Sequence, residues 1–175
     1  MANFLTAFQW MIQNEDSQQA CTIVPDATPA GATGPCYAIS GINSGSWPSE
    51  YASIAALPQG SRLPAVRDFY QAHFWNNWFA QLVSDDLAQR VFDFSVNGGA
   101  GAAVQTLQKA VNALGGSVKV DGGWGPLTLA AVNAADQTAL LQAFIAARVA
   151  HYKAIVAANP SDGQFLSAWI ARAQR

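Results

Sequence analysis

Glu15 is one of two glutamates in the 175-residue chain, and it stands where a short apolar run, Phe4-Leu5-Thr6-Ala7-Phe8-Gln9-Trp10-Met11-Ile12, gives way to a segment rich in Gly, Pro and Thr. A carboxyl group at the end of an aromatic-rich helix loses part of its hydration, which favours its protonated form; hydrolysis of an acetal needs such a proton donor. A solvated glutamate that merely closes a helix fits the same position. The segment that follows supplies further polar groups, Asp26, Thr28 and Thr33, of the kinds that stabilise a developing positive charge or activate water. Pro25-Asp26 is also an ordinary surface-turn pair, and Thr33 an ordinary loop hydrogen-bonding residue.

Cys21 and Cys36 are the two cysteines of the chain and bracket that same segment. A disulfide between them would stabilise the fold by about 3 kcal/mol if formed without strain. Two free thiols are the alternative in a reducing compartment. With His73 and His151 far from each other and from the cysteines in sequence, no spaced ligand set for a metal emerges, and no cofactor is expected.

Charged residues make up 11% of the chain and the formal net charge is −2, spread thinly, so no basic patch marks a nucleic-acid partner. The first basic residue is Arg62, and the N-terminal apolar run is interrupted by Thr6, Gln9 and Gln13. No Sec-type signal is recognised, and the expectation is synthesis in the cytoplasm with delivery by another route. The apolar stretch from Ala139 to Ala157 contains Gln142, Arg148, His151 and Lys153, which reads as a packed helix rather than a stable membrane insertion. A hydrophobic content of 51% at this length supports one well-buried core and a single domain.

The elements that must position these residues follow from periodicity and punctuation. Asn3 is placed to cap a helix from Phe4 to about Asn14, closed by Glu15. From Asp16 to about Gly60, repeated Pro, Gly and Ser predict a long irregular or β-hairpin region, a candidate cleft wall. Pro64 suits the first turn of a helix whose face carries Val66, Phe69, Tyr70, His73, Phe74 and Asn77. Ser84-Asp85-Asp86 opens another, which Asn97-Gly98-Gly99 ends. Helices are then expected over about Gly101–Leu114, Leu127–Ala134, Gln137–Ala158 and Gln164–Gln174, with a short extended piece at Ser117–Val120. The predicted architecture is mainly α.

In order and spacing these pieces resemble glycoside hydrolase family 108, bacterial and phage N-acetylmuramidases of the lysozyme-like superfamily. The resemblance runs over nearly the whole chain: the helix ending in Glu15, Gly31-Ala32-Thr33 leading to Tyr37-Ala38-Ile39-Ser40, Phe69-Tyr70 with Phe74-Trp75, Phe92 to Gly99, Leu107-Gln108, Val120-Asp121-Gly122-Gly123-Trp124-Gly125-Pro126-Leu127-Thr128, and finally Phe165 and Trp169. It implies a mainly α, lysozyme-like fold in one domain, with a muramidase segment over 1–96 and a peptidoglycan-binding-like helical segment over 97–175 integrated in it. It implies cleavage of the β-1,4 bond between N-acetylmuramic acid and N-acetylglucosamine in peptidoglycan glycan strands, with Glu15 as the general acid. Where the family has two glycines after its glutamate, this chain has Asp16 and Ser17; Gly34-Pro35-Cys36 lengthens the loop, and Ala38 replaces a glycine.

Each pyranose has apolar C–H faces and a hydroxyl rim, so Tyr37, Ser40, Trp75 and Asn97 are the candidates for holding sugar. Trp75 packed in a core, or Asn97 ending its helix in a left-handed conformation, are the structural alternatives. The turn from Asp121 to Pro126 reads as a structural turn anchored by Trp124, and it also resembles the turn of small peptidoglycan-binding modules. A groove is expected between the loop from Glu15 to Ser40 and the segment around Asn97. A non-catalytic peptidoglycan-binding or secretion-associated protein retaining the fold is the alternative to the enzyme.

Overall fold

A computed structural model describes residues 1–175 and divides them into two compact units, one formed by 1–7 with 76–175 and the other by 8–75. The chain is mainly α, as expected, with one small antiparallel sheet. Residues 96 and 97, where the two expected segments meet, lie within a single helix, Asp85–Gly98, of the first unit.

Helix α1 (Phe4–Glu15) begins where Asn3 predicts: Asn3 Oδ1 accepts from the amides of Leu5 at 2.8 Å and Thr6 at 3.4 Å. In the unit of residues 8–75, Phe8, Met11 and Ile12 are buried along one face of α1. The long region after it folds as strands β1 (Ile23–Asp26), β2 (Cys36–Ile39) and β3 (Ile42–Asn43), in that order across the sheet. Register is fixed by Ile23 opposite Ile39, Asp26 opposite Cys36, and Ile39 opposite Ile42. One element departs from the expectation of an irregular segment, because Pro48–Ala55 is a helix, α2. Pro48 opens it from the first turn, where a missing amide costs nothing. Helix α3 (Arg62–Phe74) packs against α2 and buries Val66, Phe69 and Tyr70, while His73 stays exposed.

The other unit contains α4 (Asp85–Gly98), α5 (Ala100–Ala113), α6 (Pro126–Ala134), α7 (Gln137–Ala158) and α8 (Leu166–Gln174). Ser84 caps α4 by accepting from Leu87 at 3.2 Å, and Asp136 caps α7 by accepting from Ala139 at 2.8 Å. The break after α4 is made by Gly99 at φ +89°, not by Asn97, which remains helical. Ser117–Val120 forms no strand; its backbone is held instead by the Asn112 side chain, which both donates to and accepts from Val118 at 2.8 Å.

Helix α7 presents Leu140, Phe144, Arg148 and Tyr152 inward at four-residue spacing. Arg148 and Asp93 are both 0% exposed and joined at 2.8 Å, and Arg172 of α8 approaches the same carboxylate at 2.7 Å. The Arg148 guanidinium also lies 4.7 Å from the centre of the Phe94 ring and donates to the Tyr152 hydroxyl at 2.9 Å. One carboxylate thus ties together α4, α7 and α8. Removing it strands a desolvated guanidinium, which costs far more than losing a surface pair. Asp93→Ala should therefore destabilise the protein by about 3–5 kcal/mol, whereas Asp68→Ala, which breaks the exposed pair with Arg67 at 2.9 Å, should cost no more than about 1 kcal/mol. Chemical denaturation of the two variants measures the contrast, and equal midpoints would refute it.

Candidate active site

The end of α1 is fastened to the β2–β3 turn. Ser40 at φ +48° and Gly41 at φ +83° are its two central residues, both left-handed, as a two-residue type I′ hairpin turn requires. Gly41 lies against the catalytic candidate so closely that a β-carbon there would stand 2.6 Å from Glu15 Oε2 and 2.8 Å from the Tyr70 hydroxyl oxygen. The buried Tyr70 hydroxyl in turn donates to the Ser40 carbonyl at 2.8 Å. Helix α1, the turn and α3 therefore meet around the partly exposed Glu15 carboxyl.

Asp16, the residue that departs from the family pattern, builds the loop that leaves Glu15. Its carboxylate accepts from the amides of Ala20 at 3.1 Å and Cys21 at 2.8 Å and from the Ser40 hydroxyl at 2.8 Å. Partial burial alone would raise the Asp16 pKa, but these donors, Cys21 first, outweigh it and hold the group below its ordinary value of 3.8. From the carbonyl side the loop is gripped by the buried Arg62, which donates to Cys21 O, Ala55 O and Leu57 O, each at 3.0 Å. Gln59 donates to Ala20 O at 2.9 Å. Sequence reading marked Asp16 as the departure beside Glu15 and passed over Arg62, Gly41 and Tyr70 as site-building residues. Among those three the signal was present for Gly41 alone, as a glycine at a hairpin turn.

The expected helpers sit elsewhere in the same unit. Asp26 is exposed on β1, with Oδ2 accepting from Asn43 at 2.7 Å and Oδ1 from the Ala27 amide at 2.8 Å. It stands three residues along the ladder from the Ile23–Ile39 rung that precedes the turn, about 10 Å at strand rise. Thr28 donates to Gly34 O at 3.2 Å, and Thr33 is exposed. Tyr37 is exposed on β2, half-buried Trp75 ends α3, and the Ser40 hydroxyl is committed to Asp16 rather than open to a ligand. In the other unit, Asn97 accepts from the Tyr152 hydroxyl at 2.7 Å.

The disulfide alternative is corrected, since Cys21 and Cys36 are both buried free thiols. The register explains why. Cys36 faces Asp26, and Ile23, two residues after Cys21, is already opposite Ile39, so the ladder alone separates them by about 10 Å, beyond the reach of a bridge at about 7 Å between Cα atoms.

Residues 102–174, less than half of the chain, match a family model described as a predicted peptidoglycan domain. No curated protein matches the chain. Among solved structures, SagA of Brucella abortus is similar with a TM-score of 0.64 at 23% identity, over 98% of this chain and 93% of that one. The structural likeness shows the fold, mainly α with one small sheet, and the family match associates the C-terminal segment with peptidoglycan.

Two outcomes follow from the geometry. Gly41→Ala forces a side chain into left-handed backbone and onto Glu15, so it should lower stability by about 1–2 kcal/mol and depress any Glu15-dependent activity beyond what the melting shift explains. A variant with unchanged stability and activity would refute the close approach. Because the folded pKa of Asp16 is depressed, its contribution is present above the unfolded value and is lost as pH falls through the folded one. Asp16→Asn should therefore show a shallower loss of thermal stability than the parent between about pH 5 and 2, and parallel curves would contradict the assignment.

Proposed function

We propose that the chain is a peptidoglycan hydrolase of the lysozyme type, an N-acetylmuramidase cleaving the β-1,4 bond between N-acetylmuramic acid and N-acetylglucosamine, with Glu15 as the general acid. The observation that carries this reading is the seating of the Glu15 carboxyl at a helix end, against a glycine whose missing side chain leaves room for it and beside the Tyr70 hydroxyl. The association of residues 102–174 with peptidoglycan supplies the substrate class.

In this reading Glu15 protonates the departing glycosidic oxygen while positive charge develops on the sugar ring. Asp26, oriented by Asn43, is the carboxylate that stabilises this charge or activates water, with Thr33 on the loop as a lesser helper. Tyr37 and Trp75 offer aromatic faces to the pyranose rings. Ser40 contributes through the turn it locks rather than through its hydroxyl, and Asn97, its Oδ1 occupied by Tyr152, keeps its amide nitrogen as a donor. The protein acts at the cell wall.

A second reading, a non-catalytic peptidoglycan-binding protein, is favoured by one observation: the family match covers 102–174 and leaves Glu15 outside it. Reducing-end release from purified peptidoglycan separates the two. Glu15→Gln should preserve the melting temperature and lower turnover by at least about a hundredfold, because an amide cannot donate the proton. A near-parental rate removes Glu15 from the mechanism. Retention on sacculi with no reducing ends released by the parent protein establishes the binding reading instead.

A further inference from the structure

Within the unit of 76–175, a cavity of about 330 Å³ opens beside the turn from Asp121 to Pro126 and is lined by Ser117, Lys119, Asp121, Trp124 and Leu127 among others. Its wall is fixed from behind by Gln108, which is 1% exposed. Gln108 Oε1 accepts from the amides of Asp121 and Gly122, each at 3.0 Å. Its Nε2 donates to Asp121 Oδ1 at 3.0 Å, Gly123 O at 3.1 Å and Thr128 Oγ1 at 3.2 Å. Gly122 at φ +76° makes the turn, and the Gly123 amide closes it onto Asp121 Oδ1 at 2.9 Å. The turn is therefore held by side-chain bonds that a ligand need not supply.

On this rigid wall two opposite charges stand at the rim. Lys119 Nζ is 3.7 Å from Asp121 Oδ2, with side chains 85% and 42% exposed. While Oδ1 is consumed by the turn, Oδ2 faces the lysine and solvent. Leu127, 83% exposed in the first turn of α6, adds an apolar surface at the mouth that packing does not account for, next to half-buried Trp124. The Trp124 ring is pinned edge-on by Phe79, with centroids 5.7 Å apart.

We propose that this cavity is a binding site for the peptide moiety of peptidoglycan, taking a short peptide with a free carboxylate at Lys119, a free ammonium at Asp121 and aliphatic side-chain atoms on Leu127 and Trp124. The glycan is a poorer match, since its N-acetylated sugars carry no ammonium to pair with Asp121. The proposal rests on peptidoglycan being the partner, and it is independent of catalysis by Glu15.

Calorimetric titration of the full chain with three probes tests it: a disaccharide-tetrapeptide, the free tetrapeptide carrying a diamino acid, and peptide-free glycan strands. Lys119→Glu and Leu127→Asp, both at exposed positions, should each weaken the two peptide-bearing probes by about tenfold or more, with affinity for peptide-free glycan and melting temperature unchanged. Unaltered peptide affinity in both variants overturns the site, as does loss of peptide-free glycan binding in either of them. Parent protein that binds sacculi and bare glycan but neither peptide probe defeats this proposal alone. Failure to bind intact sacculi defeats the peptidoglycan reading with it.

Discussion

The carboxylate of Asp16 is the interaction on which the candidate active site depends. In the unit of 8–75 three residues other than glycine occupy left-handed backbone, Gln19, Cys21 and Ser40, a conformation that costs an L-residue roughly 1–2 kcal/mol. Asp16 accepts from the amide of one of them, Cys21, and from the hydroxyl of another, Ser40. Hydrogen bonds to a charged acceptor contribute about 1.5–3 kcal/mol each, enough to offset that strain. The position that the resembling family gives to a flexible glycine is thus filled by an anion that fixes the exit from the Glu15 helix. Arg62 completes the fixation by collecting carbonyls from the loop and from the end of α2.

A second charged group organises the unit of 76–175 by a different balance. Asp93 is fully buried between two guanidiniums, so the cluster carries a net positive charge with little access to solvent. Arg148 Nη1 lacks a hydrogen-bond partner there, and the Phe94 ring face beneath the guanidinium offsets part of that cost. Both arginines lie inside the segment matching the peptidoglycan family, while Asp93 lies before it. Residues 102–174 taken alone would keep two buried or half-buried cations without their anion. The matched segment therefore needs α4 to fold as it does here.

Local signals in the sequence reached most helices because each is announced by chemistry within a turn of its end. Asn3 and Ser84 cap as their side chains dictate, and α7 runs over the expected residues. Helix α2 escaped because Pro48 breaks a helix from inside and starts one from its first turn, and composition does not say which. What sequence reading could not reach depends on register. The Cys21–Cys36 spacing looked suited to a bridge until pairing of β1 with β2 carried the two thiols apart. Ser40 looked like a sugar-binding hydroxyl until the hairpin turn brought it to Asp16. The place of Glu15 at a helix end was legible, whereas Gly41 and Tyr70, its neighbours, are distant in sequence.

In the proposed reading, acid catalysis falls on one unit and peptide recognition on the other, and each can aid the other where both reach the same polymer. Peptidoglycan is an insoluble polymer in which each disaccharide can bear a peptide. A chain that holds the peptide weakly turns a following encounter with glycan on the same polymer into an intramolecular event. Neither contact then has to be tight. A charge-rimmed cavity such as that at Lys119 and Asp121 suits this proposed task, because a protein working along a polymer must release each peptide as readily as it takes it. The rigid Gln108-backed turn serves the same end: a preformed site loses little entropy on binding, so modest contacts still hold.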